Sequence, residues 1–179
     1  MRKYLFLVAL FFVGSFLNAQ TKQATVITRT GYINTETILN SLPEYKSATQ
    51  TLESLSKEYK TKVDAEFAKI ETLYNTYQQN KNQLSAQARQ TKENEIITKE
   101  RAAKNLQQSY FGEEGALAKK SEELLNPIRE KVQKAIEKVA QNGNYMILFD
   151  IAAMQGGVAY ANPSSDLSQI VIKELKGTK

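Results

Sequence analysis

The sequence predicts an α+β fold, predominantly α, in which a long antiparallel coiled-coil helical hairpin projects from a small β-sheet body. Three observations predict it. Apolar residues recur at helical spacing from Tyr45 to Tyr77 and again from Ile96 to Leu124, with no Gly or Pro between Glu44 and Phe111. The two stripes are separated by a polar break at Asn82–Ser85, short enough for an antiparallel return. Short runs rich in β-branched and aromatic residues flank this region on both sides, as strands require.

Residues 1–19 read as a cleaved secretory signal. Arg2 and Lys3 precede an unbroken apolar run from Leu5 to Phe12, and Ala19 places a small residue before Gln20. The apolar stretch Tyr4–Leu17 falls short of the roughly 20 residues needed to span a bilayer, so an exported protein without an anchor is expected. The remainder suits one domain in three parts: 20–43, a first strand and short helix; 44–125, the hairpin, with its tip near 82–86; and 126–179, a helix, two strands and a C-terminal helix.

In the first part, Thr25–Thr28 and Tyr32-Ile33 read as strand, with Gly31 marking a bulge or close approach. Asn34 or Thr35 caps a short helix carrying Ile38 and Leu39. Ser41-Leu42-Pro43-Glu44 reads as a capping box for the long helix: a Ser cap, Pro in the first turn, and Glu three residues on.

The stripe of the first long helix is Tyr45, Ala48, Leu52, Leu55, Tyr59, Val63, Phe67, Ile70, Tyr74 and Tyr77. It combines seven- and eleven-residue units, whose supercoils have opposite hands, so a nearly straight coil is expected. Ser85 caps the second helix, which repeats through Ile96, Ala103, Tyr110, Leu117 and Leu124. Lys99, Glu113 and Lys120 intrude on its alternate seam positions, leaving one side weakly packed. Gly112 and Gly115 read as looseness inside a continuous helix, at about 1 kcal/mol each relative to Ala. With the tip centred between Leu84 and Ser85, residue i faces residue 169 − i and Leu42 faces Pro127, so both prolines lie where the hairpin meets the body.

Beyond Pro127, the stripe Ile128, Val132, Ala135, Ile136 and Val139 ends at Asn142-Gly143-Asn144. Tyr145–Phe149 reads as a buried strand, Gly156-Gly157 as a turn and Val158–Ala161 as a second strand. Asp166 caps a final amphipathic helix with Leu167, Ile170, Val171 and Leu175 on one side. A three-stranded sheet with open edges is a small core for so long a projection, and a closed homo-oligomer would remedy both defects.

The chain has 24 Lys+Arg and 19 Asp+Glu; without Arg2 and Lys3 the balance is 22 to 19, too mildly basic to argue for nucleic acid. It contains no Cys, His or Trp. The commonest general base, the usual zinc ligands and thiol chemistry are therefore missing together. Glu113-Glu114 and Glu122-Glu123 are adjacent on helices and point about 100° apart, which builds no site. Gly156-Gly157 lacks the Lys-Ser/Thr of a phosphate loop. Neither an enzyme nor a cofactor is expected.

Gly31-Tyr32-Ile33-Asn34-Thr35-Glu36, Leu42-Pro43-Glu44-Tyr45-Lys46, Leu125-Asn126-Pro127-Ile128, Leu148-Phe149-Asp150, Val158-Ala159-Tyr160 and Asp166-Leu167-Ser168 resemble, in order and spacing, the Skp/OmpH family of periplasmic outer-membrane-protein chaperones. The resemblance implies a periplasmic homotrimer whose body is a β-barrel shared by three chains. Three helical tentacles would enclose unfolded outer-membrane proteins, without nucleotide. Tyr32, Ile33, Ile147, Phe149, Val158 and Tyr160 would then form the oligomer body.

The family's tentacles are strongly basic, whereas Glu44–Leu125 holds 13 basic and 13 acidic residues. Charge is nonetheless segregated: Thr72–Lys92 has no acid and carries Lys81, Arg89 and Lys92. Tyr74, Tyr77, Lys81, Leu84, Arg89 and Lys92 are accordingly the candidate client-binding residues, and the positive tip could also touch a membrane surface in passing. The alternative reading is a structural coiled-coil spacer or adaptor of the envelope. It would require well-filled seam positions throughout.

Overall fold

A computed structural model describes residues 29–177. The predicted signal and the expected strand residues Thr25–Thr28 lie outside them. Strand β1 (Arg29–Ile33) leads to helix α1 (Thr35–Asn40), whose first turn is capped by Asn34: its side-chain oxygen accepts from the Thr37 N–H at 2.9 Å. The long helix α2 (Pro43–Asn80) starts without the expected capping box. Ser41 Oγ instead donates to the Ile38 carbonyl at 2.6 Å, and extended Leu42 occupies the cap position with Pro43 first in the helix. Only Leu42 separates the Ser41 cap that ends α1 from α2, so the hydroxyl serves the helix behind it.

With 38 residues α2 extends about 57 Å at 1.5 Å per residue. A 3₁₀ turn, Lys81–Gln83, reverses the chain, and Ser85 caps α3 (Ala86–Phe111) by accepting from the Ala88 N–H at 3.2 Å. The register follows the expected fold-point: Tyr59 stacks on Tyr110 with ring centroids 4.2 Å apart. The returning arm is not one helix, however. It ends at Phe111 and resumes as α4 (Ala116–Asn142), with Gly112 and Gly115 both extended. A Cβ at Gly112 would lie 2.6 Å from the Gln108 carbonyl oxygen, and one at Gly115 would lie 2.8 Å from that of Tyr110. A heptad phase maintained across a gap cannot reveal this, because four non-helical residues can restore the face. Pro127 does not interrupt α4, which runs unbroken from the hairpin into the body.

Strand β2 (Tyr145–Asp150) pairs parallel to β1, with Tyr32 opposite Phe149 and Ile33 opposite Asp150. The hairpin is thus inserted in the crossover between two neighbouring parallel strands. Helix α5 (Ser168–Gly177) closes the body. Ile33, Ile38, Leu42, Leu125, Val132 and Val171 belong to one core against which Leu52 and Leu124 also pack. Ile172 joins Leu167, Val171 and Leu175 in that core, while Ile170, expected there, faces solvent: the buried face runs through 167, 168, 171, 172 and 175.

Two expectations about the sheet are corrected. Among the described residues it has two strands, because Val158–Ala161 is irregular. The free edge of β1 is taken within the chain: Tyr32 bridges to Asp166, and the Leu167 N–H donates to the Tyr32 carbonyl at 2.9 Å. Nor is β2 buried, since Met146, Ile147 and Phe149 are all exposed. Carboxylates tie the strands to the helices. Asp150 accepts from the Thr35 N–H at 3.1 Å and from its hydroxyl at 2.6 Å, and Asp166 accepts from the Ser168 N–H at 2.8 Å.

Candidate binding surfaces

The hairpin has two separate cores. The body core reaches up to Leu52 and Leu124, and the outer core consists of Ile70, Tyr77, Ile96 and Ala103 with Leu73 and Leu84 packed against it. Between them Tyr59 stacks on Tyr110 and meets the edge of Phe111 at 6.4 Å, beside the glycine break.

The six tip candidates divide by environment. Tyr77 lies in the outer seam, and its hydroxyl donates to Glu93 Oε1. That bond, and then burial, push the phenol above its ordinary pKa. Leu84 packs on the same core and Arg89 Nε donates to the Leu84 carbonyl at 3.0 Å, so both hold the turn closed. Lys92 pairs with Glu95 at 2.9 Å, and Lys81 lies 5.8 Å from the Tyr77 ring centroid. Acid just outside the acid-free segment therefore offsets part of its charge. Tyr74, expected in the seam, is 48% exposed; Leu73 takes the inward position instead.

Sequence reasoning did not single out Ile97 and Phe111, which are also exposed, nor Met146 and Met154 on the body. For Ile97 a signal existed. Ile96 and Ile97 are consecutive, and adjacent residues on a helix cannot both face one seam.

The second surface lies on the body. Tyr32, Phe149, Ile151, Met154, Val158 and Tyr160 line an open cleft of about 560 Å³. Ile147 is 49%, Phe149 43% and Tyr160 80% exposed. Of the predicted body residues only Ile33 is turned inward, into the chain's own core. The Tyr32 phenol is pushed up by burial and then by nearby Asp166 and Tyr160. Exposed apolar groups lining one cleft make it a candidate interaction surface.

Comparison with known proteins agrees with this architecture. The family model for outer membrane protein (OmpH-like) matches residues 29–175. The chain is 27% identical over 144 residues to the chaperone protein Skp of Yersinia enterocolitica, covering 80% of this chain and 84% of that protein. A crystal structure of an OmpH-like protein from Caulobacter crescentus CB15 superposes with a TM-score of 0.63 at 15% identity, covering 91% of this chain and 92% of that one. A helical hairpin inserted between two parallel strands, matched over nearly the whole described length, makes this chain a member of the OmpH-like family.

Proposed function

We propose that the protein is an ATP-independent holdase chaperone of the periplasm, which binds unfolded outer-membrane proteins between the helical hairpins of a homotrimer. The observation that carries this reading is the hairpin itself. It projects far from the body, its two hydrophobic clusters are separate, with buried Val63 and the Tyr59–Tyr110 stack between them, and Tyr74, Ile97 and Phe111 stand exposed along it. A coiled-coil spacer has no need of apolar groups exposed off its seam. A holdase needs scattered apolar and polar groups that grip many sequences weakly.

The apolar cleft on the body is the surface through which three copies would join, as the family resemblance implies. The relative from Yersinia is named a chaperone, which supports the same role here. The acid-free tip segment would steer acidic clients at low ionic strength, because exposed charges act over roughly 8 Å at physiological salt. Tyr74, Tyr77, Lys81, Leu84, Arg89 and Lys92 would supply that end of the client surface, the seam residues by holding the turn and the others by contact.

The test is aggregation of a urea-unfolded outer-membrane barrel protein on dilution, followed by light scattering with and without the purified protein and without nucleotide. Suppression near one trimer per client is expected. Undiminished scattering at a tenfold excess would overturn the proposal.

A further inference from the structure

The groove beside the outer seam shares Tyr74, Tyr77 and Lys81 with the acid-free segment but carries acid on its α3 side. Tyr74 on α2 and Ile97 on α3 line it at 48% and 51% exposure, with buried Tyr77 and Ile96 beneath. Its volume is about 320 Å³, room for one or two bulky side chains. Neither Tyr74 nor Ile97 is needed for the hairpin, whose inward positions are filled by Ile70, Leu73, Tyr77, Ile96 and Ala103. The rim is acidic: Glu93 and Glu100 line it on α3, two turns apart on one helical face, against Lys81 as the lining cation. Glu93 accepts the Tyr77 hydroxyl, and Glu100 has no ion-pair or hydrogen-bond partner among the described residues.

We infer that this groove is a docking site for an extended polypeptide segment in which a bulky apolar side chain is flanked by Lys or Arg. The inference rests on the holdase reading and names the class of segment that the outer hairpin prefers. An apolar side chain inserted between Tyr74 and Ile97 removes both from water, and a flanking cation meets Glu100, whose carboxylate is not engaged in an ion pair among the described residues. A groove of this volume takes one or two anchor side chains and no longer stretch. Recognition is therefore local and short. Its charge preference, set by the α3 side, is opposite to that of Arg89 and Lys92 nearer the turn: those attract acidic stretches, and the groove retains basic-apolar ones.

Two labelled nine-residue peptides decide the matter, identical except that a central Phe is flanked by Lys in one and by Glu in the other. Titrated against the intact protein by fluorescence anisotropy, the Lys-flanked peptide is expected to bind about tenfold more tightly. Glu100→Lys should reverse or abolish that preference, and Ile97→Ser should weaken both peptides by about fivefold or more. Both sites are exposed, and unchanged circular dichroism and mass would verify folding. Equal affinity for the two peptides, no binding up to millimolar, or indifference to both substitutions overturns the inference. So does a fall in mass on Ile97→Ser, which would make the groove a contact between copies. These results stand apart from the holdase reading, which fails only if the unsubstituted protein does not suppress aggregation of the barrel protein.

Discussion

Replacing Ile147 with Lys tests whether the sheet face of the body is covered in the working protein. Within one chain Ile147 is 49% exposed, so a lysine there has an open path to solvent. If the chain acts alone, the substitution is a surface change worth no more than about 0.5 kcal/mol. If three copies bury this face, two quantities change together. The half of the side chain still exposed would have contributed about 1 kcal/mol per protomer on burial, taking 1.5–3 kcal/mol for a full aliphatic side chain. Placing an unpaired ammonium in the covered site adds several kcal/mol.

Assembly and stability should therefore fall together, to a species of single-chain mass with a much lower urea midpoint. Sedimentation velocity at micromolar concentration and urea unfolding by circular dichroism read the two effects. Phe149→Lys should behave alike. Ile170→Lys on α5, an equally exposed isoleucine away from the cleft, should leave both readings unchanged. An Ile147→Lys protein with wild-type mass and midpoint would refute the covered face and the trimer with it.

Gly112→Ala should destabilise by about 1–2 kcal/mol, since its methyl would sit 2.6 Å from the Gln108 carbonyl, whereas Gly177→Ala, with nothing within 4 Å, should be neutral in urea unfolding. The Tyr77 phenol is raised by its bond to Glu93, so the stability it supplies is present below the ordinary tyrosine pKa and is lost as pH rises through the folded value. Thermal midpoints between pH 8 and 11 should accordingly fall further for the wild type than for Tyr77→Phe. Lys131 donates to Glu44 at 2.7 Å and holds its carboxyl below the usual range, an effect present above the ordinary carboxylate pKa and lost as pH falls through the folded value. Glu44→Gln should cost under about 1 kcal/mol at pH 7, this pair being largely exposed, and the deficit should vanish toward pH 3 in denaturant titrations.

Most of the architecture is legible in the chain because helical periodicity and local caps are properties of neighbouring residues. The long stripe from Tyr45, the polar turn before Ser85, the Asn34 cap and the stop at Gly143 are all encoded within a few turns of themselves. Even the pairing of Tyr59 with Tyr110 follows from where the turn falls. Tertiary structure decided what depends on competition between distant partners. Ser41 could cap either of two helices, and the nearer carbonyl took its proton. Leu73 and Tyr74 both suited the seam by spacing, and the side chains arriving from α3 selected Leu73. Val158–Ala161 has the composition of a strand, but Asp166 and Leu167 already occupy the outer edge of β1 and the segment does not pair with the outer edge of β2, so among the described residues it joins no ladder. The helix break at Gly112–Gly115 was hidden for a related reason: periodicity records which face a residue occupies and is blind to the path between two turns that share it.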